Sequence, residues 1–234
     1  MADITVSAIT SGTDTTSSGD TLVVTKSFTV GNAADVFLTF PSTRTVSSIV
    51  SSPAETWTSL GVVTDTSNGQ KVARYAATIT GGGSTTITVT LDAASSFRFI
   101  GVVEVSNTSG YDSAAAAQNG AFQNAPGTGT DAISSGATPT LTSQPALISG
   151  WSMNTAGSGD PTPGTGFTDG GSCETVFSGT ALVRFEYKRV TSTTGQAATF
   201  TGAFGSQHVT MVAAFLESGG GGGGGNPWYY YAQQ

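Results

Sequence analysis

The chain has 234 residues with 8 Lys or Arg against 15 Asp or Glu, and the resulting net charge of -7 repels a phosphate backbone and argues against nucleic-acid binding. Hydrophobic residues make up 37% and charged residues 10%, with Thr, Ser, Ala, Gly and Val dominant, a mixture that favours strands and turns and predicts almost no helix. No apolar run reaches the length of about eighteen residues that a membrane span needs, and Cys173 alone makes no internal disulfide framework and no multi-cysteine metal site.

The opening MADITVSAIT lacks the basic and apolar segments of a secretory signal, so synthesis and folding in a cytoplasm are expected. Runs of β type with turn signals between them then follow in order: 4–10, 21–30, 35–40, 71–79, 84–91 and 97–105 in the first half. The second half offers 138–142, 146–151, 174–178, 181–190, 196–201 and 208–216. GGGS at 81–84 reads as a hairpin connection, and Asn107-Thr108-Ser109 as a surface turn. In ALVRFEYKRV (181–190), Val183, Phe185 and Tyr187 share one face, expected to be core. Arg184, Glu186 and Lys188 share the other, expected to meet water. FRFIGVVEV and HVTMVAAFL are apolar on both faces and call for cover on both.

Sliding the chain on itself by 110 positions superposes the hydrophobic pattern of the halves, about 1–106 and 131–218, and equates Gly61 with Gly171, Arg74 with Arg184 and Val102 with Val212. Two architectures fit: tandem sandwiches, or one jelly-roll β-sandwich of two antiparallel sheets built from two similar Greek-key halves. The single all-β sandwich over 1–218 is preferred. Each half alone offers only five or six runs, and no Pro-, Ser- or charge-rich linker separates them.

Signatures of chemistry are sparse. His208 is the single histidine and has no nucleophile elbow to serve, which makes a catalytic triad improbable. Asp65, Asp92, Asp112, Asp160 and Asp169 lie in turn-like sequence, where aspartate is a normal turn former. No phosphate loop and no calcium-loop motif occurs, and no cofactor or metal is expected. The Pro- and Gly-rich loop 159–172 is a stiff, accessible candidate for binding, with Phe167 expected inside.

The chain closes on Gly219, Gly220, Gly221, Gly222, Gly223, Gly224 and Gly225, followed by Asn226, Pro227, Trp228, Tyr229, Tyr230 and Tyr231. Seven glycines lose more entropy on ordering than any other heptapeptide, so 219–225 serves reach, about 25 Å when extended. The tail 226–234 carries four aromatics able to bury about 150–250 Å² each, with Pro227 stiffening their approach. Its docking place is its own domain, a neighbouring copy or another protein. So loose a spacer favours a contact between molecules, strengthened by avidity in a symmetric oligomer.

WTSLG (57–61), RYAATIT, STTITVTL, FIGVVEVSN, PTLTSQPALISGW, GFTDGG and VTMVAAFL, in this order over most of 20–216, together resemble jelly-roll structural proteins of tailed bacteriophages, including capsid decoration or cement proteins. The glycine run with Asn-Pro and a Trp/Tyr block is similar to the termini of some phage virion proteins. The resemblance implies a single, commonly trimeric jelly roll without catalytic activity. It is expected on the virion, where it binds the major capsid protein or another virion protein and stabilises the head. A tail or fibre module that binds a host glycan is the alternative, because similar sandwiches bind sugars.

Overall fold

The computed structural model describes residues 3–15, 18–65, 69–113, 120–124, 131–156, 161–175, 181–202 and 207–218. The described residues form strands and connections, with no helix among them. The poly-Gly linker 219–225 and the aromatic tail 226–234 lie outside them, as does Asp160.

Alternation of β-branched and small polar residues sets the strands of the first half. They are β1 (Thr5–Val6), β2 (Thr10–Thr15), β3 (Gly19–Phe28), β4 (Ala33–Pro41), β5 (Val46–Ser52), β6 (Thr58–Asp65), β7 (Gln70–Thr78), β8 (Gly83–Ser95) and β9 (Arg98–Ser106). The second half supplies β10 (Thr108–Tyr111), β11 (Gly120–Asn124), β12 (Asp131–Ala137), β13 (Ala146–Ala156), β14 (Thr162–Pro163), β15 (Thr168–Thr175), β16 (Ala181–Val190), β17 (Ala197–Gly202) and β18 (Gln207–Glu217). The first half folds into a large sheet, β1-β9-β4-β7-β6 with β2 also on β9, and a small sheet, β3-β8-β5. The second half repeats this as β10-β18-β13-β16-β15 with β11 on β18, and β12-β17-β14.

The all-β antiparallel sandwich read from the sequence is what the structure shows. The strands are distributed over four sheets where two were expected, because each half completes its own pair. The sequence runs leave out β5, β6, β10, β11, β12 and β14 and reach only the ends of β2 and β15, and 138–142, expected as a strand, is none. The GGGS segment is a crossover and not a hairpin, since β7 belongs to the large sheet and β8 to the small one.

Each half buries an apolar core between its sheets. Leu22, Ile87 and Val89 of the first small sheet meet Val36, Leu38, Ile100 and Val102 of the large sheet. Ile133, Ala198 and Phe200 meet Ala146, Ile148, Val212 and Ala214 in the second half. The large sheets also pack on each other: Phe37, Val72, Phe99 and Val103 against Trp151, Met153, Val183, Phe185, Val209 and Met211. Ile4, Ala33, Leu60, Ala76 and Val105 extend this contact to Leu147, Ala213 and Phe215. The layers therefore run small, large, large, small, and the double cover required by β9 and β18 comes from within the chain. Phe97, counted with the covered face, is 39% exposed at a φ of 60°.

Register sharpens the repeat. Identical bulges, Ser59/Gly61 and Asp169/Gly171, place Gly61 opposite Arg74 and Gly171 opposite Phe185. Both glycines take the positive φ such bulges favour, 136° and 102°. Arg74 is thus the equivalent of Phe185 and not of Arg184, and the shared arginine at offset 110 falls on opposite faces. Phe37, between Arg74 and Gly101, corresponds to Trp151, between Phe185 and Met211.

Candidate functional site

The same register isolates where the two halves differ in chemistry. In the first half the row Leu38, Ala73 and Ile100 crosses the large sheet facing the small one, and all three are apolar core. Its counterpart in the second half is Ser152, Arg184 and Thr210. One row along, Val36, Tyr75 and Val102 become Gly150, Glu186 and Val212. Asn154, opposite His208, continues the polar strip on β13 and β18.

Ser152, Asn154, Glu186, His208 and Thr210 are all fully buried. Burying a hydroxyl, amide or carboxylate costs free energy unless partners compensate, whereas the first half shows that the fold accepts an apolar core at these places. The strip is therefore a departure that the fold does not require, and it is the candidate functional site among the described residues.

Its partners are specific. Thr210 Oγ1 donates to Ser152 Oγ at 3.2 Å. Arg184 Nε donates to Asp169 Oδ1 at 2.9 Å, and its Nη2 pairs with Asp169 Oδ2, at the more open border of the strip. Glu186 is wedged between the sheets: Oε2 accepts from Gly164 N at 2.9 Å and Oε1 from Thr199 N at 2.8 Å. Burial is the dominant influence on Glu186 and outweighs these two donors, so its carboxyl is pushed up to about 7. Gly150 leaves the space beside it, because a Cβ there would collide with Ala198 and crowd the Glu186 side chain. On the face of β16 expected to meet water, Glu186 is instead fully buried beneath the second small sheet, while Arg184 and Lys188 to either side of it are partly exposed.

Other residues singled out in the sequence serve local structure. Asp92 accepts from Thr45 N and Oγ1 at 3.2 and 3.1 Å. Asp112 is buried and accepts from Thr142 N and Oγ1 at 2.7 and 2.8 Å. Asp65 is buried at the end of β6. Phe167 is half-buried against the second core, with Lys188 Nζ 4.4 Å from its ring centroid. Cys173 is half-buried against the core between the large sheets. Pro227, Trp228, Tyr229, Tyr230 and Tyr231 lie outside the described residues, so the structure gives their contact no place. No cluster of three or more His, Cys, Asp or Glu residues suited to a metal occurs among the described residues.

Sequence reasoning missed a second polar group, between the large sheets. Arg74 Nε and Nη2 donate to Asp35 Oδ1 and Oδ2 at 2.8 and 2.5 Å, both side chains fully buried. Arg74 Nη1 reaches across to the carbonyls of Ser149 and Met211 at 3.1 and 3.3 Å, and Nη2 also donates to Ser149 Oγ. Trp151 Nε1 completes the set on Asp35 Oδ2 at 3.2 Å. The available signal was a lone charge inside an apolar stretch of each strand, Asp35 within 33–38 of β4 and Arg74 within 72–77 of β7. Comparison with protein-family models, with curated proteins and with solved structures finds no match to this chain.

Proposed function

We propose that the chain is a non-enzymatic structural protein of a tailed-phage particle, a decoration or cement protein that lies on the outer surface of the head and stabilises it. The observation that carries this reading is the outer face of β3-β8-β5. Thr21, Thr90 and Ser48 form one cross-strand row, Val23, Thr88 and Val50 the next, and Thr25, Thr86 and Ser52 the third. None is charged, although the chain carries a net -7, and Val23 and Val50 are 39% and 55% exposed. An uncharged face of hydroxyls and methyls on a four-layer body suits contact with a protein lattice, where charge repulsion and side-chain ordering both work against binding. The resemblance supplies the lattice: a capsid built of a major capsid protein, with trimers of this chain on it and the aromatic tail docked on the shell or on a neighbour. The test is co-sedimentation of the chain with purified heads. Val50→Lys together with Thr88→Lys is expected to weaken binding by tenfold or more while the thermal midpoint stays in place; undiminished binding contradicts the reading.

One further reading, a tail- or fibre-associated module that binds a host glycan, is favoured by the partly exposed Arg184–Asp169 pair, whose carboxylate lies in the Pro- and Gly-rich segment 159–172. A guanidinium and a carboxylate held side by side offer the donors and acceptors that a polyhydroxylated ligand uses. Binding on a glycan array that Asp169→Ala abolishes would support it, and a silent array argues for the structural role alone.

A further inference from the structure

We propose that the aromatic tail of one copy docks in a cleft of a neighbouring copy, with Trp228 as the inserted ring. This inference rests on the reading of 226–234 as a docking segment and gives that segment a socket. The cleft encloses about 320 Å³ and is lined by Glu55, Thr56, Thr58, Thr78, Thr80 and Tyr111, together with Ala54. That volume lies at the small end of ligand sites and suits one aromatic ring rather than the whole block.

Its chemistry matches a ring with a polar handle. Tyr111 supplies an aromatic wall, and its hydroxyl donates to Thr58 Oγ1 at 2.9 Å, so the wall is held in place. The threonines offer methyls to a ring face and hydroxyls to an indole N–H or a phenol O–H. The opposite rim is fixed as well: Glu55 accepts from Thr80 N, Thr80 Oγ1 and Gly81 N at 2.7–2.9 Å. Gly110 takes a φ of 113° and keeps β10 close, since a Cβ there would stand 3.0 Å from Thr78 Oγ1. A preformed socket of this kind loses little entropy on binding.

Reach decides whose tail enters. Ser218 N donates to Asn107 O, and β10, paired to β18 with Tyr111 opposite Phe215, lies beside the point where the tail departs. A cleft so near needs only a short connection, whereas seven glycines extend about 25 Å and suit a bridge to the next copy.

The test uses the full chain with Tyr230 replaced by p-benzoylphenylalanine, isotopically light and heavy copies mixed, and photocrosslinks mapped by mass spectrometry. Crosslinks are expected between light and heavy chains at residues 54–58, 78–80 and 111, and the exposed Thr78→Arg, which fills the cleft, is expected to lower their yield about tenfold. Crosslinks elsewhere on the chain, crosslinks confined to single copies, or yields indifferent to Thr78→Arg would overturn the proposal. Capture of another virion protein in the same experiment on particles would also overturn it, yet leave the tail's docking role standing.

Discussion

Phe37 stacks on Trp151, ring centroids 5.1 Å apart and planes 12° from parallel, and the two residues occupy the same position in the two halves. Asp35 and Ser149, also equivalent, touch as well, with Ser149 Oγ 3.3 Å from Asp35 Oδ2. Contacts between equivalent residues are what a two-fold relation produces near its axis, so β4 and β13 mark a pseudo-two-fold between the halves. Trp151 also meets Phe185 at 4.7 Å, which makes it the largest apolar element of the joint. Trp151→Ala is expected to cost about 3–5 kcal/mol, read as a lower midpoint in denaturant unfolding. A loss below about 1 kcal/mol would contradict the role assigned to this stack.

Arg74 is the charged counterpart of that joint. Arg74→Ala strands the Asp35 carboxylate in the interior and is expected to destabilise by about 3–5 kcal/mol. Replacing both members, Arg74→Met with Asp35→Leu, is expected to recover much of the loss, because the desolvation of each charge is then removed too. The comparison of single and double variants in one denaturant series separates an ion pair that fixes register from one that supplies stability.

Glu186 predicts a pH dependence with a definite sign. Its folded pKa is raised from 4.5 to about 7, so between these values the folded chain holds a proton that the unfolded chain has released. Its contribution is most favourable below about pH 4.5, falls as pH rises to about 7 and is constant above. The span corresponds to about 3 kcal/mol. Measured against Glu186→Gln, wild-type stability should therefore decline by that order between pH 4 and 8. A difference that is flat or rises with pH would show that the two backbone donors dominate over burial.

The polar strip yields a prediction opposite to the usual effect of mutation. Ser152→Ala with Thr210→Val removes both partners of one buried hydrogen bond and approaches the apolar row of the first half. Thermal unfolding should be unchanged or shifted upward. A clear loss of stability would mean that the strip supports the fold.

Much of the fold was legible because its signal is local. Alternation in ALVRFEYKRV returned β16 at its observed bounds, and the double-sided apolar character of β9 and β18 required two covered faces. β5, with Ser at four of seven positions, and β12, with two Ser and a Gly, carry too little apolar contrast to be read as strands. The number of sheets was hidden because those omitted strands are the edges of the small sheets. The polar strip is visible in β13 as Gly150, Ser152 and Asn154 on alternate positions, but it means something only beside β4, and the uniform offset of 110 misaligned the two strands. Arg74 and Arg184 coincide at that offset for the same reason, although the bulges at Gly61 and Gly171 put Arg74 in register with Phe185.

The outer surface of a phage head is the place proposed for the chain. Electron cryomicroscopy of particles assembled with the full chain, and with a chain lacking Gly219–Gln234, tests it most directly. Ordered four-layer density is expected on the capsid surface with the full chain, and low occupancy by a truncated chain whose circular dichroism is unaltered. Heads bare of that density with the full chain, or its appearance only on tail or fibre, would contradict it.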